Sequence, residues 1–112
     1  MIEKTLKDYL NNCGLSVRAY AQRPEQEPES YIIIEKTGSE RTNHIETATI
    51  AIQSYAGSLY GAAALNEEVK AALDDMPELE DIGGVKLVSD YNFTSTTAKR
   101  YRYQAVYNIT HY

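Results

Sequence analysis

Apolar and polar positions along this chain follow two periods, and the element type changes where the period changes. Ile2, Leu6, Tyr9, Leu10 and Cys13 recur at the spacing of one helical face, and Gly14 follows as a left-handed stop. Asn11 and Asn12 weaken the end of that helix, and Cys13 reads as a small buried hydrophobe on its apolar side. Over 15–21 the period drops to two, with Val17, Ala19 and Ala21 against Arg18, Tyr20 and Gln22, which predicts a short strand. Arg23-Pro-Glu-Gln-Glu-Pro-Glu29 then forbids regular structure through its prolines and predicts an exposed acidic loop.

A β-branched run over 31–36, turn residues over 37–40 and an alternating stretch over 47–55 with Ala48, Ile50 and Ile52 on one face predict a long antiparallel hairpin. Thr42, Asn43, Glu46, Thr47 and Thr49 make its distal half polar, so that half is expected to project beyond the core as a contact arm. Ala56-Gly-Ser58 turns the chain, and Ser58 is placed to cap a helix whose buried stripe is Ala62, Leu65, Val69, Ala72, Leu73 and Met76. That helix ends before Pro77, with Asn66, Glu67, Lys70 and Asp74 on its solvated side and small alanines that let it lie close on a sheet.

Asp81-Ile-Gly-Gly84 reads as a turn, 85–89 as a strand and 92–99 as a Thr- and Ser-rich loop. The clearest alternation comes last. Tyr101, Tyr103, Ala105, Tyr107 and Ile109 share an apolar face, while Arg102, Gln104, Asn108 and Thr110 share a hydrogen-bonding face, and only Val106 departs from the pattern. The order α-β-β-β-α-β-β predicts an α+β fold: a mostly antiparallel sheet of four to five strands with two helices packed on one face.

A length of 112 residues suits one core and a single domain over 1–112. Hydrophobic and charged fractions of 43% and 24% are those of a folded globule and exclude disordered or collagen-like classes. With a net charge of -5 and no basic stripe, nucleic-acid recognition is not expected. The longest apolar runs, 32–34 and 62–65, fall far short of the roughly 20 residues that span a bilayer, and the first residues lack a signal peptide's hydrophobic region. The expectation is a protein made and used without membrane passage, with no membrane partner. Ten tyrosines against one phenylalanine and no tryptophan lean towards interfaces, since tyrosine joins a large apolar ring to a polar tip. For any single tyrosine, a half-buried strand position is the favoured reading over a binding patch.

No chemistry stands out. His44 and His111 fall on the hairpin and at the terminus, as surface residues, away from any nucleophile that spacing would pair with them. With Cys13 they are too few and too scattered for a zinc site. Asp74, Asp75, Glu78, Glu80 and Asp81 lack the ligand order and glycine of a calcium loop, and Gly83-Gly84 lacks the companion glycine of a nucleotide loop. No catalytic residue, cofactor or metal is indicated, and an enzyme working with carboxylates alone has the least support.

Several segments, taken in order, resemble one family. The strand ending in Glu35-Lys-Thr-Gly38 and followed by Arg41, the stretch Ile50-Ala-Ile-Gln-Ser-Tyr-Ala56, the helix from Ala62 to Leu73 and the late Arg102-Tyr-Gln-Ala105 are similar, in order and spacing over most of the chain, to the tail terminator (tail completion) proteins of long-tailed phages and prophages. Tyr55 stands where that family often has tryptophan. The resemblance implies a non-enzymatic subunit that forms a homo-oligomeric ring, a hexamer, capping the tail tube, stopping its growth and offering the surface for head-tail joining. It implies the tail tube protein and the head-tail connector as partners, and the virion tail or neck, assembled in the bacterial host cytoplasm, as the location.

Subunit or tail-tube contacts are then expected at the hairpin tip, Arg41 and Asn43, and at Gln53, Tyr55 and Arg102, where the match falls. The plainer alternative is that Gln53 and Tyr55 finish a strand and Arg41 is a solvated turn residue. The loops over 23–29 and 92–99 are candidates to order on docking. Another phage neck or minor capsid protein, or a small α+β module binding a ligand or peptide on the uncovered sheet face, fits the same size and fold class.

Overall fold

Helical and strand periods translate into two helices laid on one side of a sheet. The computed structural model describes residues 2–26, 28–43, 45–76, 82–94 and 101–111. Its elements are α1 (Ile2–Asn12), β1 (Ala19–Tyr20), β2 (Tyr31–Thr42), β3 (Ile45–Ala56), α2 (Leu59–Asp74), β4 (Ile82–Asn92) and β5 (Tyr101–His111). The strands form one sheet in the order β1-β2-β3-β5-β4, with β1 parallel to β2 and every other neighbour antiparallel. The fold is α+β with a mixed sheet.

α1 buries Ile2, Leu6 and Leu10 and gives way to Gly14 at φ 83°, the left-handed residue that stops it. Because the helix ends at Asn12, Cys13 falls in the turn and is exposed, where the helical spacing predicted a buried thiol. Asn11 works against its helix but holds β1: its side chain accepts from the Ala19 amide at 2.8 Å and donates to the Ala19 carbonyl at 3.1 Å. The strand expected over 15–21 contracts to Ala19–Tyr20, the length that pairs with Ile32 and Ile33 of β2.

β2 and β3 make the predicted hairpin, but its turn is not at 37–40. Those residues continue β2 through a register shift between Lys36 and Gly38, and the chain reverses at Asn43, which takes φ 52°. Thr37, Gly38 and Ser39 resemble a turn in composition, yet a bulge takes up only Thr37 while Gly38 and Ser39 pair with Thr49 and Ala48, and β3 keeps pairing to Ile45; asparagine tolerates the left-handed region at the tip. The distal half is also no free-standing arm. β5 runs beside β3 as far as His111, and β4 beside β5 from Ile82. The Asp81-to-Gly84 turn is likewise corrected, since Ile82, Gly83 and Gly84 belong to β4, with a register shift between Ile82 and Gly84; Asp81 lies outside the described residues.

One face of the sheet supplies the core. Ile32 and Ile34 of β2, Ala48, Ile50 and Ile52 of β3, and Ala105, Tyr107 and Ile109 of β5 pack with the stripes of α1 and α2 in one buried cluster that includes Met76 and Ile82. α2 lies on β3 and β5, α1 on β1 and β2. Tyr9 joins the two helices by donating its hydroxyl to the Ala72 carbonyl at 2.6 Å. Ser58 caps α2 as expected, its Oγ accepting from the Gly61 amide at 3.0 Å.

Asn66 departs from the solvated face assigned to it and is 1% exposed. Its spacing from Ala62 and Val69 places it within the stripe, and Asp90 of β4 meets its Nδ2 at 3.5 Å, so a polar residue is buried where periodicity allowed an apolar one. Lys70 beside it reaches Glu67 at 2.8 Å and Asp90 at 3.4 Å, and these carboxylates, Glu67 first, hold its ammonium above the usual lysine range.

Replacing Ser58 with alanine is expected to lower unfolding free energy by about 1 kcal/mol, and with glycine by only a few tenths, measured by urea denaturation. Tyr107 gives a pH signature: burial, reinforced by nearby Asp74, pushes its phenol up to about 12 from 10.0. The folded state therefore holds this proton more tightly than the unfolded chain. The stability it contributes is present below pH 10 and is lost as pH rises from 10 to about 12. Tyr107→Phe is expected to flatten that segment of the stability curve.

Candidate functional site

Alternation sends every second residue of β2, β3 and β5 away from the helices, and on that side opposite residues of β3 and β5 match by type. Thr47 faces Thr110, Thr49 faces Asn108, Ala51 faces Val106, Gln53 faces Gln104 and Tyr55 faces Arg102. The two threonine hydroxyls lie 3.4 Å apart, Thr49 Oγ1 donates to Asn108 Oδ1 at 3.0 Å, and Gln53 Nε2 donates to Gln104 Oε1 at 2.9 Å. Val106, the exception in the β5 pattern, is the apolar rung opposite the buried Ala51.

At the end of the sheet away from the hairpin tip, this ladder becomes a network. Arg102 Nη1 donates to the Tyr55 hydroxyl at 2.9 Å, which donates to Gln53 Oε1 at 3.0 Å, while Gln104 Nε2 donates to the Tyr91 hydroxyl at 2.6 Å. Each glutamine thus donates and accepts within the set, which fixes both amide orientations. Arg102 Nε donates to the Phe93 carbonyl at 2.6 Å, and the guanidinium stands 4.3 Å from the Phe93 ring centroid and 5.7 Å from that of Tyr55. Arg23, from the acidic loop, lies 5.8 Å from the Tyr55 centroid. Tyr55 stacks on Tyr31 at 4.7 Å and 8°, and Tyr20 meets Tyr31 edge-on at 6.4 Å. Charge over ring faces and stacked rings add to the hydrogen bonds in holding this region rigid.

Of the five contact positions read from sequence, the structure brings three together. Gln53 and Tyr55 are 8% and 5% exposed and hold the network from beneath; Arg102 lies over them, with Tyr91 and Phe93 at the exposed rim. Arg41 and Asn43 sit a strand's length away at the other end, both exposed, with Arg41 Nε 3.6 Å from Glu46 Oε1. Glu46 also lies 3.6 Å from Nε2 of His111, whose side chain is 15% exposed rather than on the open surface expected of it, because β4 and β3 flank β5 there. His44 lies outside the described residues, as does 95–99 of the late loop.

Tyr31, Tyr91, Phe93 and Gln104 belong to the network and were missed. Gln104 shares a face with Arg102, and only the strand register, not composition, reveals that it meets Gln53. On the helix side of the same end, Tyr60 is 85% exposed beside Tyr103, and Leu59 and Tyr101 are also exposed. Among the described residues no three of His, Cys, Asp or Glu are grouped to hold a metal ion, and no helix is long and apolar enough to cross a membrane. No protein-family model matches the sequence, and comparison with curated proteins gives no match.

Tyr55→Phe deletes the hydroxyl that joins Arg102 to Gln53 and leaves both without that partner. The expected loss is about 1–3 kcal/mol of unfolding free energy, read by urea denaturation, with Tyr55→Leu costing more because the stacked ring is lost as well.

Proposed function

We propose that this chain is a structural subunit of a phage or prophage tail: a tail terminator that assembles into a ring on the end of the tail tube, stops its elongation and offers the surface for head-tail joining. One observation carries this reading. Residues from two separate segments that resemble the family, Gln53 and Tyr55 in one and Arg102 in the other, meet in a single bonded network although Tyr55 and Arg102 are 47 positions apart. A matched segment with only a local structural role has no need to find its counterpart across the fold.

The shape of the subunit agrees with a role in assembly. A twelve-residue strand spans about 40 Å, close to the 44 Å long dimension of the molecule, so the hairpin tip with Arg41 and Asn43 and the aromatic rim with Tyr91 and Phe93 lie at opposite ends. Two contact regions at opposite ends suit a piece set between a tube and a connector. A ligand-binding module has less support: the polar atoms of Gln53, Gln104, Tyr55 and Arg102 are bonded to each other rather than turned towards a cavity.

Mass in solution, measured by light scattering over a concentration series with and without tail tubes of a long-tailed phage, tests the proposal. The expected result is a ring-sized species at high concentration or on the tubes. A chain that stays monomeric at high concentration and leaves the tubes unbound would count decisively against it.

A further inference from the structure

Among the described residues the sheet ends in two long open edges. β4 has a neighbour only in β5, and β1 covers only Ile32 and Ile33 of β2, which leaves the outer edge of β2 open over 34–42. Unpaired strand edges recruit other strands unless they are blunted. Here the open part of β2 is exposed beyond Ile34, and β4 carries exposed Leu87, Val88 and Tyr91.

The two edges fit each other in direction. β2, β3, β5 and β4 alternate, so β2 and β4 of one subunit run antiparallel. A second copy rotated about an axis along the strands therefore presents its β2 antiparallel to β4 of the first, with the helices of both on the same side. The nine open residues of β2, 34–42, also find counterparts within the eleven of β4.

Charge selects the register. Lys86 and Asp90 stand four residues apart on β4, and Lys36 and Glu40 stand four apart on β2. An antiparallel alignment that sets Lys86 against Glu40 also sets Asp90 against Lys36, and it lines up 84–92 with the whole of 34–42. Sidedness agrees at both points. Lys86 pairs with Asn108 and Glu40 with Thr47, which places both on the helix-free face; Asp90 pairs with Ala105 and Lys36 with Ile50, which places both on the helix face. Each strand has a register shift near the middle of this stretch, Lys36/Gly38 on β2 and Leu87/Ser89 on β4, so parity is kept across the pair. Within one subunit Gly84 is level with Glu40 through Thr110 and Thr47, so the alignment offsets neighbouring copies by only two residues.

We infer that β4 of one subunit pairs antiparallel with β2 of a second copy, head to tail, with Lys86 opposite Glu40 and Asp90 opposite Lys36. The contact joins different patches of identical subunits, the arrangement that can close into a ring. It rests on the ring reading above and names the surface that makes the ring.

Cysteine pairing tests the register in a Cys13→Ser background. Leu87 and Ser39 are directly opposed in the alignment, both exposed, and paired strands hold such residues about 4.5–5.5 Å apart at Cα, within disulfide range. Mixing Ser39→Cys chains with Leu87→Cys chains under mild oxidation is expected to give a covalent dimer well in excess of either alone, and the double variant a ladder of covalent oligomers. Lys86→Glu or Glu40→Lys is expected to weaken association about three- to tenfold, and the two together to restore it. A chain that assembles by mass yet shows neither cross-link nor charge rescue overturns the edge pairing and leaves the ring intact. Cross-linking of Leu87→Cys to Thr37→Cys in preference to Ser39→Cys overturns the register. Absence of assembly at any concentration, alone or on tail tubes, overturns the ring reading and this contact with it.

Discussion

The pairing of β3 with β5 is the constraint from which the rest of this structure follows. It runs through eleven opposed pairs, Glu46↔His111 to Ala56↔Tyr101, without a register shift, whereas β2 and β4 on either side are both irregular. Along it Ala48, Ile50 and Ile52 meet Ile109, Tyr107 and Ala105 on the helix side, while Thr49, Gln53 and Tyr55 meet Asn108, Gln104 and Arg102 on the other. A slip of one residue would turn the isoleucines away from the helices and drive the glutamines into the core, so both faces enforce the same register. α2 connects the two halves of the chain and lies over this pair, which gives Leu65, Val69 and Leu73 a flat apolar floor.

The two faces achieve their fit by different physics. The helix face gains from removing apolar area from water, which is tolerant of detail. The other face buries polar side chains, each of which is costly unless bonded, and so depends on geometry. Gln53, Gln104, Tyr55, Tyr91 and Arg102 satisfy one another in a directed set. Shifting any one of them leaves a partner unpaired, so the network resists deformation at the end of the sheet where its aromatic rim is exposed. Such a surface is suited to rigid docking.

Much of this was legible in the chain. Helical spacing located α1 and α2, Ser58 announced its cap, and the alternation of β5 separated its two faces correctly from residue types alone. What could not be read depended on neighbours distant in sequence. Thr37-Gly-Ser39 has turn composition, but a continuing partner strand pairs Gly38 and Ser39 and leaves only Thr37 as a bulge. Gly83-Gly84 has turn composition, yet β5 pairs Ile82 and Gly84 on either side of Gly83 and keeps the segment in β4. Asn66 has a polar side chain in a helical core position, and only Asp90, 24 residues on, explains its burial. The network shows the same limit: Gln53 and Tyr55 were visible as candidates, but that Gln104 and Tyr91 complete them follows from register.

Which surfaces remain for association follows from how each is already satisfied. The helix face is closed by two helices, and the polar groups at the heart of the opposite face are bonded to each other. The strand edges differ, because hydrogen bonds there need another strand, and among the described residues none is at hand for β4 or the distal part of β2. Proteins that stay monomeric cover, shorten, charge or bulge such edges. Here nine residues stay open on β2 and eleven on β4, and opposite charges stand at the same spacing along them. A sheet built this way can grow sideways with every copy in the same orientation, which leaves the polar hairpin tip at one end and the aromatic rim at the other, both free for different partners.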